Sequence, residues 1–173
     1  NSIEKYSYAS GTQNGVDTAD LTVARREGSS SKSRTHGYHA GGYSGAYQNT
    51  IDKFNFSTEA NATDVGNLTS ARTGAFAGCS EETHGYACGG ATPTMTNIID
   101  RWSYSSDGDA VDVGDLFQNN KAQAGANTST HGYTAGGALN DAGSRTTNIH
   151  KFAFGSSTSS SDVGDVSVIR SHC

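Results

Sequence analysis

Thr83-His84-Gly85-Tyr86-Ala87-Cys88-Gly89-Gly90 is one of three copies of a single phrase. The others are Thr35-His36-Gly37-Tyr38-His39-Ala40-Gly41-Gly42 and Thr130-His131-Gly132-Tyr133-Thr134-Ala135-Gly136-Gly137. They recur roughly every 48 residues, within the periods that mark propeller blades, so the fold is read repeat by repeat. The closing Gly-Gly of each copy permits either close approach by an aromatic from a neighbouring strand or positive φ.

Outward from the phrase, each repeat falls into the same order. An alternating segment follows at 49–56, 97–104 and 147–154, with a further copy at 1–8. Ile3, Ile51, Ile99 and Ile149 lie on one face of it. The aromatics Tyr6/Tyr8, Phe54/Phe56, Trp102/Tyr104 and Phe152/Phe154 lie on the other, because strand side chains alternate. A strand apolar on both faces fits between two sheets. Polar loops (9–15, 57–62, 105–110 and 155–161) lead to short segments such as Asp64-Val65-Gly66-Asn67-Leu68 and Asp112-Val113-Gly114-Asp115-Leu116, read as edge strands bent or bulged at the glycine. Then come Arg25, Arg72, Asn120 or Arg170 and a run of small residues, 73–78 and 121–126 in the two clearest cases. Small side chains suit an innermost strand where sheets converge. The expectation is all-β, four-stranded antiparallel sheets packed face to face, with no helix longer than about one turn.

Composition bounds the function. Leu, Ile, Val and Phe are about one residue in seven, below the roughly one-fifth at which disorder is suspected in a highly charged chain. The net charge is only −5, and the periodicity argues for order. An acidic chain without a Lys/Arg cluster points away from nucleic acid and anionic membranes. No apolar run approaches the ~20 residues of a span, so membrane insertion is not expected.

The order of aromatic, Ala or Cys, Gly-Gly, aromatic-rich strand and Arg resembles the Kelch repeat over essentially the whole chain. The resemblance implies Kelch-type β-propeller blades, about three and a half repeats: an outer half-blade at 1–22, blades at 23–69, 70–117 and 118–168, and the start of another at 169–173. Val65, Val113 and Val163 stand where Kelch repeats usually place a Trp. The combination of Thr-His-Gly-Tyr, Ile-Asp-Lys-Phe and Asp-Val-Gly-Asp-Leu is similar to Kelch-like proteins of marine tailed bacteriophages, which implies a virion or tail-associated role. A cellular or secreted Kelch-type scaffold or carbohydrate-binding propeller is the alternative. With orphan outer strands at 1–22, closure is expected to need a longer propeller or strands from other chains.

No catalytic residues, cofactor or metal are expected. His36, His84 and His131 repeat on separate blades, where they would not share a ligand sphere, and read as hydrogen-bonding groups. His39, His150 and His172 match no histidine elsewhere. The Asp-Val-Gly-Asp segments supply few carboxylates for calcium and read as turns that satisfy their own backbone. Cys79, Cys88 and Cys173 form no framework; Cys88 stands where Ala40 and Ala135 do, and a Cys79–Cys88 bridge is not expected. Sequons at Asn55, Asn61, Asn67 and Asn127 are no more than the Ser/Thr content would produce by chance.

The signature residues His36, Tyr38, Gly41, Gly42, His84, Tyr86, Gly89, Gly90, His131, Tyr133, Gly136 and Gly137 are read as structural. Binding is assigned to the loops 43–48, 91–96 and 138–146, which differ most between repeats and carry Tyr43, Tyr47, Met95 and Arg145. The expected partners are other virion proteins, further copies of the chain, or a host-surface glycan, at a virion surface or outside the cell.

Overall fold

Alternating apolar residues and the repeated turns produce strands throughout. The structure, a computed structural model, describes residues 1–6, 14–75, 77–155 and 159–171. Tyr8, Phe76, His172 and Cys173, with parts of the 9–15 and 155–161 loops, lie outside the described residues. Among the described residues every regular element is a strand. β1 (Ser2–Lys5) and β2 (Val16–Asp20) make a two-stranded antiparallel sheet. β3 (Ser29–Lys32), β4 (His36–Tyr43), β5 (Tyr47–Asn55) and β6 (Thr63–Asn67) form a four-stranded antiparallel meander in chain order. β7 (Ala77–Ser80), β8 (His84–Thr92), β9 (Thr94–Ser103) and β10 (Val111–Asp115) repeat it. So do β11 (Ala124–Asn127), β12 (His131–Ala135), β13 (Asn148–Ala153) and β14 (Ser161–Asp165).

The tyrosine of the first and second signatures is the bolt between sheets. Tyr38 stacks on Tyr104 of the second sheet at 4.7 Å and packs against Trp102. Tyr86 stacks on Phe154 of the third sheet, also at 4.7 Å, and packs against Phe152. Ile51 and Leu68 share the first of these cores, Ile99, Val113 and Leu116 the second. The isoleucine and the aromatics of one strand therefore serve opposite interfaces, as the alternation requires.

Of the two roles open to the Gly-Gly pair, the structure takes positive φ. It is the glycine of His-Gly-Tyr that an aromatic covers: Gly37, Gly85 and Gly132 are the cross-strand partners of Phe54, Trp102 and Phe152, and a Cβ at any of them would strike that ring. The Gly-Gly pair meets backbone instead. Gly41, Gly89 and Gly136 sit at φ 67°, 66° and 67°, and a Cβ there would press on the carbonyl of Arg72, Asn120 or Arg170. The next residue donates its N–H to that same carbonyl, from Gly42 to Arg72 at 2.8 Å, Gly90 to Asn120 at 2.8 Å and Gly137 to Arg170 at 2.9 Å. Each Gly-Gly is thus a main-chain clamp onto the segment that opens the next sheet.

Small residues line the inner edge because backbones touch there. A Cβ on Gly78 would collide with the Ser30 carbonyl, and one on Gly125 with the Gly78 carbonyl. These inner strands start later than the small-residue runs 73–78 and 121–126, since Thr73 and Lys121 first bridge to Ala91 and Ala138. On the outer edge the register slips at the Asp-Val-Gly-Asp segments, where Asp64, Asp112 and Asp162 accept the N–H of Gly66, Gly114 and Gly164. Cys79 lies opposite Tyr86 and Cys88 opposite Ala77; both thiols are free and buried.

Candidate binding face

One edge of the array collects the hairpins between second and third strands with the segments that start each sheet. Tyr43 pairs with Tyr47, Ala91 with Met95, and Ala138 with Arg145, so the four residues proposed from sequence occupy matching hairpin ends in three successive sheets. Two of the three connections are tighter than expected. β4 and β5 leave only residues 44–46 outside the ladder, β8 and β9 only Pro93, so Tyr43, Tyr47 and Met95 are strand residues rather than loop residues. The third connection, 136–147, is a true loop.

Tyr43 and Tyr47 meet edge to face with centroids 5.8 Å apart. Arg26, whose backbone bridges Tyr43, lays its guanidinium 5.2 Å from the Tyr43 ring. This residue was missed in the sequence, where the repeat singles out Arg25 and nothing marks Arg26. Tyr47 is exposed, Met95 half-buried, and Arg145 exposed with its Nε donating to Ser171 at 2.8 Å. Lys121 pairs with Asp141 in the third hairpin loop.

Beneath this edge the sheets hand one another a backbone bond. Gly74 N–H donates to Glu27 at 2.9 Å and Ala122 N–H to Gly74 at 2.8 Å. Glu27, Gly74 and Ala122 stand at one register position, all left-handed, at φ 62°, 71° and 57°. Only the glycine adopts that without strain.

Two buried ion pairs hold the segments that carry Arg26 and Thr73. Arg25 meets Asp52 at 2.9 Å and Arg72 meets Asp100 at 2.8 Å, every side chain fully buried. Thr22 and Thr69 cap these carboxylates through backbone N–H and hydroxyl. Arg25 also donates to the His39 carbonyl and Arg72 to that of Ala87. The repeated arginine was legible; its partner was legible only as the Ile-Asp-Lys/Arg of two repeats.

The signature histidines lie at the opposite end of their strands. Each ring nitrogen Nδ1 pairs with the preceding threonine hydroxyl, at 2.8 Å for His36, 2.8 Å for His84 and 2.9 Å for His131. His84 also meets Glu81 at 3.0 Å, and Glu81 accepts the Tyr86 hydroxyl at 2.8 Å. Burial, with Lys53 close by, holds His36 below its ordinary value. Burial pushes the Tyr38 phenol up to about 12 and, together with the Glu81 carboxylate, raises that of Tyr86. Among the described residues no group of three or more His, Cys, Asp or Glu gathers to hold a metal.

Sheets that repeat a four-strand meander, stack through one tyrosine and clamp onto the next through Gly-Gly decide the architecture. These are all-β, propeller-like blades. A solved structure of YjhT superposes on the blades with a TM-score of 0.67 over 83% of this chain, at 14% identity. The chain spans about half of YjhT, 53% of its length, and the likeness is one of fold. No family model matches the chain. No curated protein matches it either.

Proposed function

We propose that the blades form a non-enzymatic structural or attachment module of a phage virion or tail, displayed at the virion surface or outside the cell. It binds protein or glycan through the hairpin edge of the propeller. The observation that carries this reading is the Tyr43–Tyr47 pair under Arg26 at the end of the first blade, with Met95 and Arg145 at the matching ends of the next two. Aromatic and Arg side chains are enriched where surfaces recognise partners. The support for a phage source is the resemblance of the Thr-His-Gly-Tyr repeat dialect; the support for a scaffold rather than an enzyme is that the repeated polar residues are engaged in hydrogen bonds and ion pairs within and between blades. The partners are other virion proteins, further copies of the chain, or a host-surface glycan, and further strands complete the propeller.

The test is the triple variant Tyr47→Ala, Met95→Ala, Arg145→Ala. Its melting temperature stays near that of the parent while adsorption to the host surface, or assembly, weakens. If both survive intact, the working face lies elsewhere.

A further inference from the structure

The third blade lacks the buried ion pair. Asn120 and His150 stand where Arg72 and Asp100 stand in the second blade, and Thr134 replaces Ala87 as the cross-strand neighbour of the latter position. Asn120, Gln123, Thr134 and His150 are all fully buried. They lie at the interface with the second blade: Gln123 Nε2 donates to the Cys88 carbonyl at 3.1 Å, and His150 shares its strand face with Phe152, which packs on Tyr86.

Each of the four retains one polar atom without a partner: Asn120 Oδ1, Gln123 Oε1, Thr134 Oγ1 and His150 Nε2. Their roles follow from the bonds already made. Asn120 donates Nδ2–H to the Gly136 carbonyl at 2.7 Å, and Gln123 is anchored through its own amide nitrogen, so both amide oxygens remain as acceptors. Ser160 Oγ accepts the Phe117 N–H at 2.8 Å and pairs with His150 Nδ1 at 3.4 Å. With the Ser160 hydroxyl donating to Nδ1, the proton of the neutral imidazole sits on Nε2, a donor. The Thr134 hydroxyl supplies a second donor. Arg72 passes Gly90 with its Cδ and runs on to Asp100, whereas Asn120 reaches Gly137 with its terminal oxygen and stops.

We propose that this cluster binds an internal water, which takes the bridging role of the guanidinium in the other two blades. Two acceptors and two donors match the two protons and two lone pairs of one water molecule. Charge decides against an ion. Arg72 with Asp100 buries no net charge, and neither does neutral Asn120 with neutral His150; a cation would face an N–H donor and an anion two amide oxygens, each an uncompensated buried charge.

The test uses water itself as the probe on the whole folded chain. Nitrogen-15 NMR of His150 should show the Nε2–H tautomer, with a cross-peak from that proton to a long-lived water. Thr134→Ala, which installs the second blade's residue, should weaken or abolish the cross-peak while Asn120 and Gln123 keep their backbone bonds. A native His150 protonated on Nδ1, or an Nε2 proton with no water cross-peak, overturns the proposal. A His150 shift that follows exchange of sodium for potassium at constant ionic strength overturns it in favour of a cation.

Discussion

The second and third blades share strand order, register and Gly-Gly clamp, yet differ at the position that opens each of them. Arg72 is paired with Asp100, capped by Thr69, and bonded to the Ala87 carbonyl. Around the opening of the third blade Phe117, Asn120 and His150 replace Thr69, Arg72 and Asp100 together. What both retain is the main-chain contact, Gly42 N–H to Arg72 and Gly90 N–H to Asn120, each 2.8 Å. The lesson is that the joint between blades is made by backbone. The side chains at the joint need only be mutually satisfied, and a charged and a neutral solution both serve. A buried ion pair contributes little over a well-packed neutral set, but half of one is costly.

That comparison breaks most sharply if one partner is removed. Asp100→Ala leaves the Arg72 guanidinium buried and unpaired and should cost about 3–5 kcal/mol in urea unfolding. His150→Ala strands no charge and should cost markedly less; equal losses would mean that charge is irrelevant at this position. A second contrast uses the tyrosines. Tyr86→Ala removes an aromatic stacked on Phe154 and should cost about 3–5 kcal/mol. Tyr133→Ala should cost less in the same chain, because the far side of the third blade is less covered: Val163 is 49% exposed where Val113 is 8%. Tyr86 variants that keep their stability but lose ligand would contradict the structural role.

A smaller effect is expected from pH. Burial, reinforced by the Arg25 guanidinium, holds His39 down at about 4, against 6.5 unperturbed. The fold therefore favours the neutral ring. That stability is complete above about pH 6.5 and is lost as pH falls towards 4. Melting temperature should decline across this window, and His39→Gln should flatten the decline. Burial also lowers His150, so His150→Gln should remove part of the remaining slope; a profile unchanged in both variants would place the titration elsewhere.

The smallest expected change is a gain. Ala122→Gly relieves a left-handed backbone and should stabilise by roughly 1 kcal/mol, whereas Gly74→Ala at the matching position should destabilise by a similar amount. If Ala122→Gly is neutral or harmful, the strain at φ 57° is offset by packing of the methyl group.

The residues of the hairpin edge were partly legible in the sequence. Tyr43, Tyr47, Met95 and Arg145 stand out because their neighbours repeat and they do not. Arg26 could not be distinguished, since only the fold lays it on Tyr43. The length of the hairpins was overestimated because Tyr43–Tyr47 and Thr92–Thr94 look irregular in sequence, while the ladder of the preceding strands carries them into register.

The strands, their order in each sheet, the sandwiched third strand and the small-residue inner edge were all legible in the repeat. All of these rest on period-2 alternation and on backbone requirements that each repeat states for itself. Which glycine an aromatic covers and which one clamps a carbonyl, that Arg72 answers Asp100, and that Asn120 and His150 are one concerted exchange emerge from the packing of the blades. Those contacts join residues far apart in sequence, in adjacent strands and adjacent blades. A repeat shows which positions are special, but the residue that each one meets is settled by how one blade lies on the next.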